Sequence, residues 1–375
     1  MTELSPTTAA DLAEALHEAA GNGQRICLRG AGTKDRIAGP AGGASTRIST
    51  TRLNRILQYE PKDLTISVEA GMPYAELTRT LAANHQMLPL DPPCAEGATI
   101  GGVIACGSGG ARRRVYGAAR DMVIGLSYAT LEGQVVQSGG MVVKNVAGLD
   151  VQKTLIGSFG TLAAIVSLNF KLSPIPESTR TFALSFPTLA EAVQARDKVL
   201  RGVLQPTALD VVNAAAAERL SLSGHCLLVR AGGNEKLLGR YGEELAGAEQ
   251  ISGTQEESLW NAIAEFPATP RCVVRAGHPL MDLRAVLESA GGPCLARAGN
   301  GLTYLGFEDA EAVRRWMAAQ ESKAWSRIVE WAPEEEKAQI EQWPTPGPDL
   351  ALMQRMKTLF DPNQLLNRGR LYGRL

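Results

Sequence analysis

The stretch Pro92–Gly110, PPCAEGATIGGVIACGSGG, decides how this chain is read. Six of its nineteen residues are glycine, so its backbone is suited to approach a ligand closely rather than to pack side chains. Two further glycine-bearing stretches flank it: RGAGTK at Arg29–Lys34, and GGMVVKNVAGLDVQKTLIGSFG at Gly139–Gly160. All three read as loops aimed at one ligand. RGAGTK follows a short strand over 25–28. A strand that ends in glycines can turn its amides toward an anion, usually a phosphate, or can simply make a turn. The G-x-x-x-x-G-K-[ST] spacing is absent, and Gly30, Gly32, Gly107 and Gly109 do not complete G-x-G-x-x-G. Both the P-loop and the Rossmann readings therefore fail on spacing.

At ~100 to 200 residues per domain, a chain of 375 residues holds two domains, each large enough for its own core. Hydrophobic residues make up 45% and charged residues 21%, the balance of an ordinary globular protein. The formal net charge of −1 leaves no electrostatic footprint for nucleic acid or an anionic membrane, and Arg112, Arg113 and Arg114 form the one local basic run singled out. Six cysteines occur, never as C-x-x-C, so neither a zinc site nor an iron–sulfur cluster is readable. A reduced, intracellular protein is the expectation. The opening MTELSPTTAADLAEALHEAA reads as an amphipathic helix without the basic start of a signal peptide. No apolar run reaches the ~18 residues of a membrane span. The expected location is the cytoplasm, possible membrane attachment being through partners alone.

Along the chain, Ser5–Pro6 signals a helix start, with Leu12, Ala15, Leu16 and Ala19 recurring at helical spacing. Leu64, Ile66 and Val68 alternate with polar residues as in a half-buried strand, and Pro73 opens a helix that runs to about Ala83. The passage from Trp316 to Trp343 reads as core or an interface edge. The tail carries a helix over 349–360, with Leu350, Leu352, Met353, Met356 and Leu359 as its apolar face.

Five segments in order, RGAGTK, DLTISVEAGMPYAEL, GATIGG, YGAARDMVIGLSYATLEGQVV and KNVAGLDVQKTLIGSFGTLAAI, resemble the FAD-binding domain of the vanillyl-alcohol oxidase and p-cresol methylhydroxylase (PCMH) type. Within that type the likeness is to the FAD-binding subunits of bacterial glycolate oxidase (glycolate dehydrogenase). It is strongest over 25–175 and resumes at LFDPNQLLNRGRLY. The resemblance implies an α+β fold: a PCMH-type two-part FAD-binding domain over 1–176, an α+β cap over 177–345, and a segment over 346–375 that returns to the FAD domain. It also implies that Arg29 binds the cofactor together with Gly30, Ala31, Gly32 and Thr33, the last four forming one wall around the pyrophosphate. Thr99, Ile100, Gly101 and Gly102 would form the other wall, with Ser108 and Gly109 beside the flavin and the backbone of Ile165 against a cofactor ring. Backbone amides in such loops meet the demand of a buried pyrophosphate at little cost. Gly157 and Gly160 either touch the cofactor or only permit tight packing. Thr33 stands where an attaching histidine is common in the family, and Cys94 and Cys106 read as packing residues. The expected cofactor is noncovalent FAD.

Beyond Pro174 and Pro176, strand and helix signals alternate in a way that suggests an antiparallel α+β cap with two ferredoxin-like halves. In the family resembled, this is where substrate is recognised. The 2-hydroxy-acid dehydrogenases of that family use histidines there, sometimes with a metal. In ARAGNG, Ala296–Gly301, this chain has Ala296 and Arg297 before its glycines. Its four histidines, His17, His85, His225 and His278, form no local ligand pair. His17 is expected on the exposed side of the first helix, and His225 and His278 as structural or solvent-facing residues. Arg297 either clamps a carboxylate or is a surface arginine. No general base, and so no catalytic residue, is assigned.

Three readings compete. The chain is an FAD-binding subunit of a multi-subunit glycolate oxidase that converts glycolate to glyoxylate, a paralogous FAD-linked subunit carrying the main chemistry and an iron–sulfur subunit removing electrons. Alternatively it is an independent FAD-dependent oxidoreductase acting on a small 2-hydroxy acid, or a scaffold that has lost the flavin. The intact glycine loops argue against the scaffold and the missing histidines against the independent enzyme, which leaves the first. In that reading the Arg112–Arg114 run steers a partner; otherwise it is a solvated basic turn or a phosphate contact.

Overall fold

The computed structural model describes residues 1–40, 42–141, 150–373 and 375. The KNVAGL portion of the third glycine stretch lies outside the described residues. The chain divides into two compact units: 1–109 with 117–175 and 345–375, and 110–116 with 176–344. Residues 110–116 join the second unit because the short helix Arg113–Tyr116 packs on the strand Ala208–Val212, and the Arg114 guanidinium donates to the Gly299 carbonyl at 3.3 Å. Among the described residues, no helix is long and apolar enough to cross a membrane.

The first unit holds a parallel three-stranded sheet and an antiparallel five-stranded one. The parallel sheet runs in the order Thr2–Leu4, Thr46–Ser49, Ile26–Arg29. The helix Ala9–Gly21 begins three residues beyond Pro6, because Thr8 and Asp11 form a reciprocal capping box, Thr8 Oγ1 accepting from the Asp11 amide at 3.1 Å. Its buried face is Leu12, Ala13, Leu16 and Ala19, with Ala15 only partly buried, and it closes a cluster with Ile26, Ile48, Leu53 and Val166. Each leucine so buried contributes about 1.5–3 kcal/mol.

The five-stranded sheet runs Ile56–Glu60, Thr65–Glu69, Ala164–Lys171, Val123–Ala129, Val135–Gly139. Thr65–Glu69 was expected to be half-buried from its alternation, yet all five residues are buried. It is an interior strand, and its polar members find partners: Glu69 accepts from the Arg55 amide at 2.8 Å and from the Arg55 guanidinium. The helix Tyr74–Ala82 follows Pro73 as the sequence predicts. The helix Asp349–Phe360 belongs to this unit, but its Leu352 and Leu359 are exposed, and it is anchored by Leu350 and the buried Lys357.

The second unit is built on one eight-stranded antiparallel sheet. Its order is Glu249–Ile251, Ser178–Phe186, His225–Gly233, Ala208–Val212, Cys294–Arg297, Leu302–Phe307, Cys272–Gly277, Ser326–Trp331. Numbered along the chain within each half, these strands follow a 4-1-3-2 order and its mirror, the two ferredoxin-like halves expected from the sequence. The halves join where Ala208–Val212 pairs with Cys294–Arg297. Leu209, Val211, Leu227, Val229, Val274, Ala296 and Leu305 share one cluster, beneath helices that include Leu189–Arg201 and Ala310–Ala319. Trp316, Trp325 and Trp331 are buried, so the tryptophan-rich passage serves the core. The alternate positions point to the other side of the sheet, where Asp210, Arg230, Arg275 and Arg297 stand among buried apolar residues such as Val212, Leu228 and Leu295.

Candidate FAD site and the polar sheet face

Strand Ile26–Arg29 delivers the chain into Gly30–Thr33. Gly32 has φ +82, and a Cβ there would lie 1.5 Å from Arg29 Nη2, so only glycine allows Arg29 to fold across the loop and pair with Asp35 at 3.1 Å. A Cβ on Gly30 would lie 2.1 Å from Thr99 Oγ1, and one on Gly97 would lie 3.2 Å from Thr33 Cγ2. The two loops thus stand against each other. Among the described residues, the amides of Gly30, Ala31, Gly32 and Thr33 donate to no protein acceptor, and neither does that of Thr99. Five donors in two adjoining loops are therefore open to water or to an anion.

The second loop is made differently from its expectation. Thr99 caps the helix Ile100–Ala105, its Oγ1 accepting from Gly102 N at 3.3 Å. Ile100 N donates to Met72 O at 2.9 Å, and Gly101 N to Ala70 O at 2.7 Å. These three amides hold the loop in the fold, so Ile100, Gly101 and Gly102 supply a close-packed backbone surface rather than donors. Gly101 is needed there because a Cβ would lie 2.7 Å from Ala70 Cβ.

Ser108 and Gly109 follow this helix and are partly exposed, Ser108 N donating to Val103 O at 3.1 Å. The turn 157–160 packs on the helix through Gly157 N to Ile104 O at 3.1 Å and Phe159 N to Ala105 O at 2.8 Å. Gly160 answers to packing: a Cβ would lie 2.8 Å from Asn367 Nδ2. A Cβ on Gly157 would meet nothing within 4 Å. Ile165 is buried in the strand Ala164–Lys171, opposite Tyr128, where the register shifts between Ser127 and Tyr128. Such a bulge re-aims the backbone locally. Lys34, which sequence reasoning passed over, is buried and donates to Pro93 O, tying the two glycine stretches together.

On the second unit, Arg297 is neither a surface residue nor an open carboxylate clamp. It is 4% exposed and ion-paired through Nη1 to Asp210 Oδ2, its register partner on the neighbouring strand, which is 1% exposed. Its guanidinium also lies 5.7 Å from the centre of the Tyr304 ring. Tyr304 is opposite Arg275, which pairs with Glu330. Asp210, Arg297, Tyr304, Arg275 and Glu330 thus form a row across five strands. Burial, reinforced by Glu330, pushes the Tyr304 phenol up to about 12. At neutral pH it is a hydrogen-bond donor and not a base. Farther along the sheet, Arg230 pairs with Glu256 at 3.2 Å, and Glu256 also accepts from Thr179 at 2.6 Å and Thr181 at 2.8 Å.

His17 and His85 are exposed and His225 is partly buried. His278 is also partly buried, with Nδ1 2.9 Å from Pro279 O and Nε2 2.8 Å from Thr303 Oγ1. The polar row escaped sequence reasoning because each strand contributes one residue. The signal available was a lone ionisable or polar residue inside each apolar run, as in ALDVV, CLAR and CVVRAG.

The family model for an FAD binding domain matches residues 3–139, and that for the C-terminal domain of FAD linked oxidases matches 336–371. The chain is 29% identical over 282 residues to the glycolate oxidase subunit GlcE of Escherichia coli (strain K12), covering 72% of this chain and 75% of that protein. It is 32% identical over 161 residues to the glycolate oxidase subunit GlcD of Bacillus subtilis (strain 168), which covers 43% of this chain but only 34% of that relative. In fold it is similar to 4-ethylphenol oxidase from Gulosibacter chungangensis, with a TM-score of 0.73 at 15% identity over 99% of this chain and 88% of that one. With the matched domain, two adjoining glycine loops and the two-unit architecture together, the chain is an FAD-dependent oxidoreductase whose first unit is an FAD-binding domain of the vanillyl-alcohol oxidase and PCMH type.

Proposed function

We propose that this chain is the FAD-carrying subunit of a multi-subunit 2-hydroxy-acid dehydrogenase of the glycolate oxidase kind, oxidising glycolate to glyoxylate. The observation that carries the reading is the contrast within it: Gly30–Thr33 presents open amides, while the cations of the polar row are paired with carboxylates of the same chain. The open amides of Gly30–Thr33 and Thr99 hold the pyrophosphate. The backbone of Ile100–Gly102 shapes the opposite wall, Ser108 and Gly109 lie along the flavin, and Ile165 meets a cofactor ring. When bound, FAD supplies the two-electron acceptor.

Arg297 is committed to Asp210, and a substrate carboxylate would have to displace that buried partner. Tyr304 retains its proton at neutral pH. Abstraction of the substrate hydroxyl proton is therefore assigned to a paralogous FAD-linked subunit, and onward electron transfer to an iron–sulfur subunit. The likeness to GlcE and GlcD, both glycolate oxidase subunits, supports this division. The complex works in the cytoplasm, or at the inner membrane through its partners. Of the basic run, Arg114 is engaged with Gly299, so Arg113, the exposed member, is the one offered to a partner.

Co-expression with its paralogous flavoprotein and iron–sulfur neighbours is the test. A stable complex that oxidises glycolate is expected, with Arg113→Glu weakening the assembly at unchanged flavin content. Rapid glycolate oxidation by the chain alone would overturn the division of labour. Acid precipitation is expected to release all the flavin into the supernatant, since Thr33 offers no attachment; yellow protein in the pellet would overturn noncovalent binding.

A further inference from the structure

The C-terminal segment grips both ends of the Gly30–Thr33 loop while leaving its amides alone. Upstream, the segment lies beside strand Ile26–Arg29: Ile26 N donates to Leu365 O at 2.9 Å, and Asn367 N to Ile26 O at 2.9 Å. The Asn367 side chain then takes the place of a neighbouring strand. Its Oδ1 accepts from Leu28 N at 2.8 Å, and its Nδ2 donates to Leu28 O at 2.9 Å and to Phe159 O at 2.7 Å. Asn367 is 6% exposed and sits at φ +40, a backbone conformation that costs free energy and persists where surrounding contacts impose it.

Downstream of the loop, Arg370 donates to the carbonyls of Lys34 at 3.1 Å and Asp35 at 3.3 Å, and its guanidinium lies 5.8 Å from the Phe159 ring centre. The segment that carries both residues is itself fixed. Asp361 accepts from the amides of Leu365 and Leu366 at 2.9 and 2.8 Å. Buried Lys357 donates to Asp361 at 2.6 Å, to Leu366 O at 2.9 Å and to Thr161 O at 2.7 Å.

We infer that Asn367 and Arg370 are positioning residues for FAD, which set the spacing of the Gly30–Thr33 amides and join that loop to the turn at Phe159 without touching the cofactor. Four amides with no protein acceptor cannot set their own geometry, and the two clasps on either side of them do so. Preorganised donors bind more tightly than donors that must be ordered on binding, since the ordering cost is met before the ligand arrives. The inference rests on Gly30–Thr33 being the cofactor loop.

Apoprotein of the full chain, titrated with FAD, tests this through the dissociation constant and the visible circular dichroism of the bound flavin. Asn367→Ala and Arg370→Ala are expected to weaken FAD at least tenfold and to change the dichroism, while apo-chain unfolding stays cooperative. Arg370→Lys, which restores a donor and a cation, should recover part of the affinity. Leu359→Ser, on the exposed side of the tail helix, should bind FAD as the parent does. If Asn367→Ala does not fold, Arg370→Ala with its lysine counterpart decides. Parent-like affinity and dichroism in the clasp variants, beside loss of FAD in Gly102→Asp, would overturn the positioning role and leave the cofactor loops standing. Parent-like binding in Gly102→Asp as well would overturn the loop assignment itself.

Discussion

The Gly30–Thr33 loop and the polar face of the second unit's sheet treat charge in opposite ways. The loop offers partial charges from backbone amides that the protein leaves unmatched, so an anion can complete them. The sheet face brings full charges together from separate strands and matches them internally: Arg297 with Asp210, Arg275 with Glu330, Arg230 with Glu256. One region is organised to receive a charged group, the other to stabilise itself. A missing partner means something different in each. In the loop it is an invitation to a ligand; on the sheet, removing a partner leaves a buried charge alone.

The largest expected effect lies in the first region. Gly102→Asp places a Cβ 3.2 Å from Thr99 Oγ1 and, in the proposed site, a carboxylate beside the pyrophosphate. Several kcal/mol of unmatched charge corresponds to a loss of about 100-fold or more in FAD affinity. A flavin spectrum of normal intensity in the folded variant would remove that loop from the site. The next effect belongs to the sheet. Arg297→Ala strands Asp210 and should cost about 3–5 kcal/mol of stability in urea unfolding. The double change Asp210→Leu with Arg297→Met should recover most of that loss, because it removes both charges. If the single change costs nothing, the pair is not the closed unit described here.

A smaller effect is set by pH. Desolvation pushes the His278 ring below its usual 6.5 and favours the neutral form in the folded state, with Asp282 opposing and Arg196 assisting this shift. As the pH falls below that value, the unfolded chain takes up a proton that the folded chain resists, so stability declines toward acid. The decline is complete once the pH is below the folded value. His278→Gln should flatten this part of the stability profile. An unchanged acid slope would assign the slope to another group.

The same contrast explains what was legible in the sequence. Glycine reports a local backbone requirement, so RGAGTK and GATIGG announced themselves, and the alternation of strand and helix signals suggested two ferredoxin-like halves, whose 4-1-3-2 strand order only the structure supplies. The role of individual amides was not legible. Whether Gly101 N meets a ligand or Ala70 O depends on where the strand Thr65–Glu69 ends in space. The polar row was also hidden, since Asp210 and Arg297 are 87 residues apart and meet only through the pairing that joins the two halves. Asn367 read as part of a closing motif, and its work is visible only beside Leu28 and Phe159.

The account turns on the claim that this chain holds FAD while the ionisable groups of its polar row, among the described residues, are committed to one another rather than to hydroxy-acid oxidation. The visible spectrum of the purified holo-chain, recorded anaerobically before and after adding glycolate, tests it most directly. Flavin bands that persist with glycolate present, and bleach only when the paralogous and iron–sulfur subunits are added, are the predicted result. Prompt bleaching by glycolate in the isolated chain would contradict it.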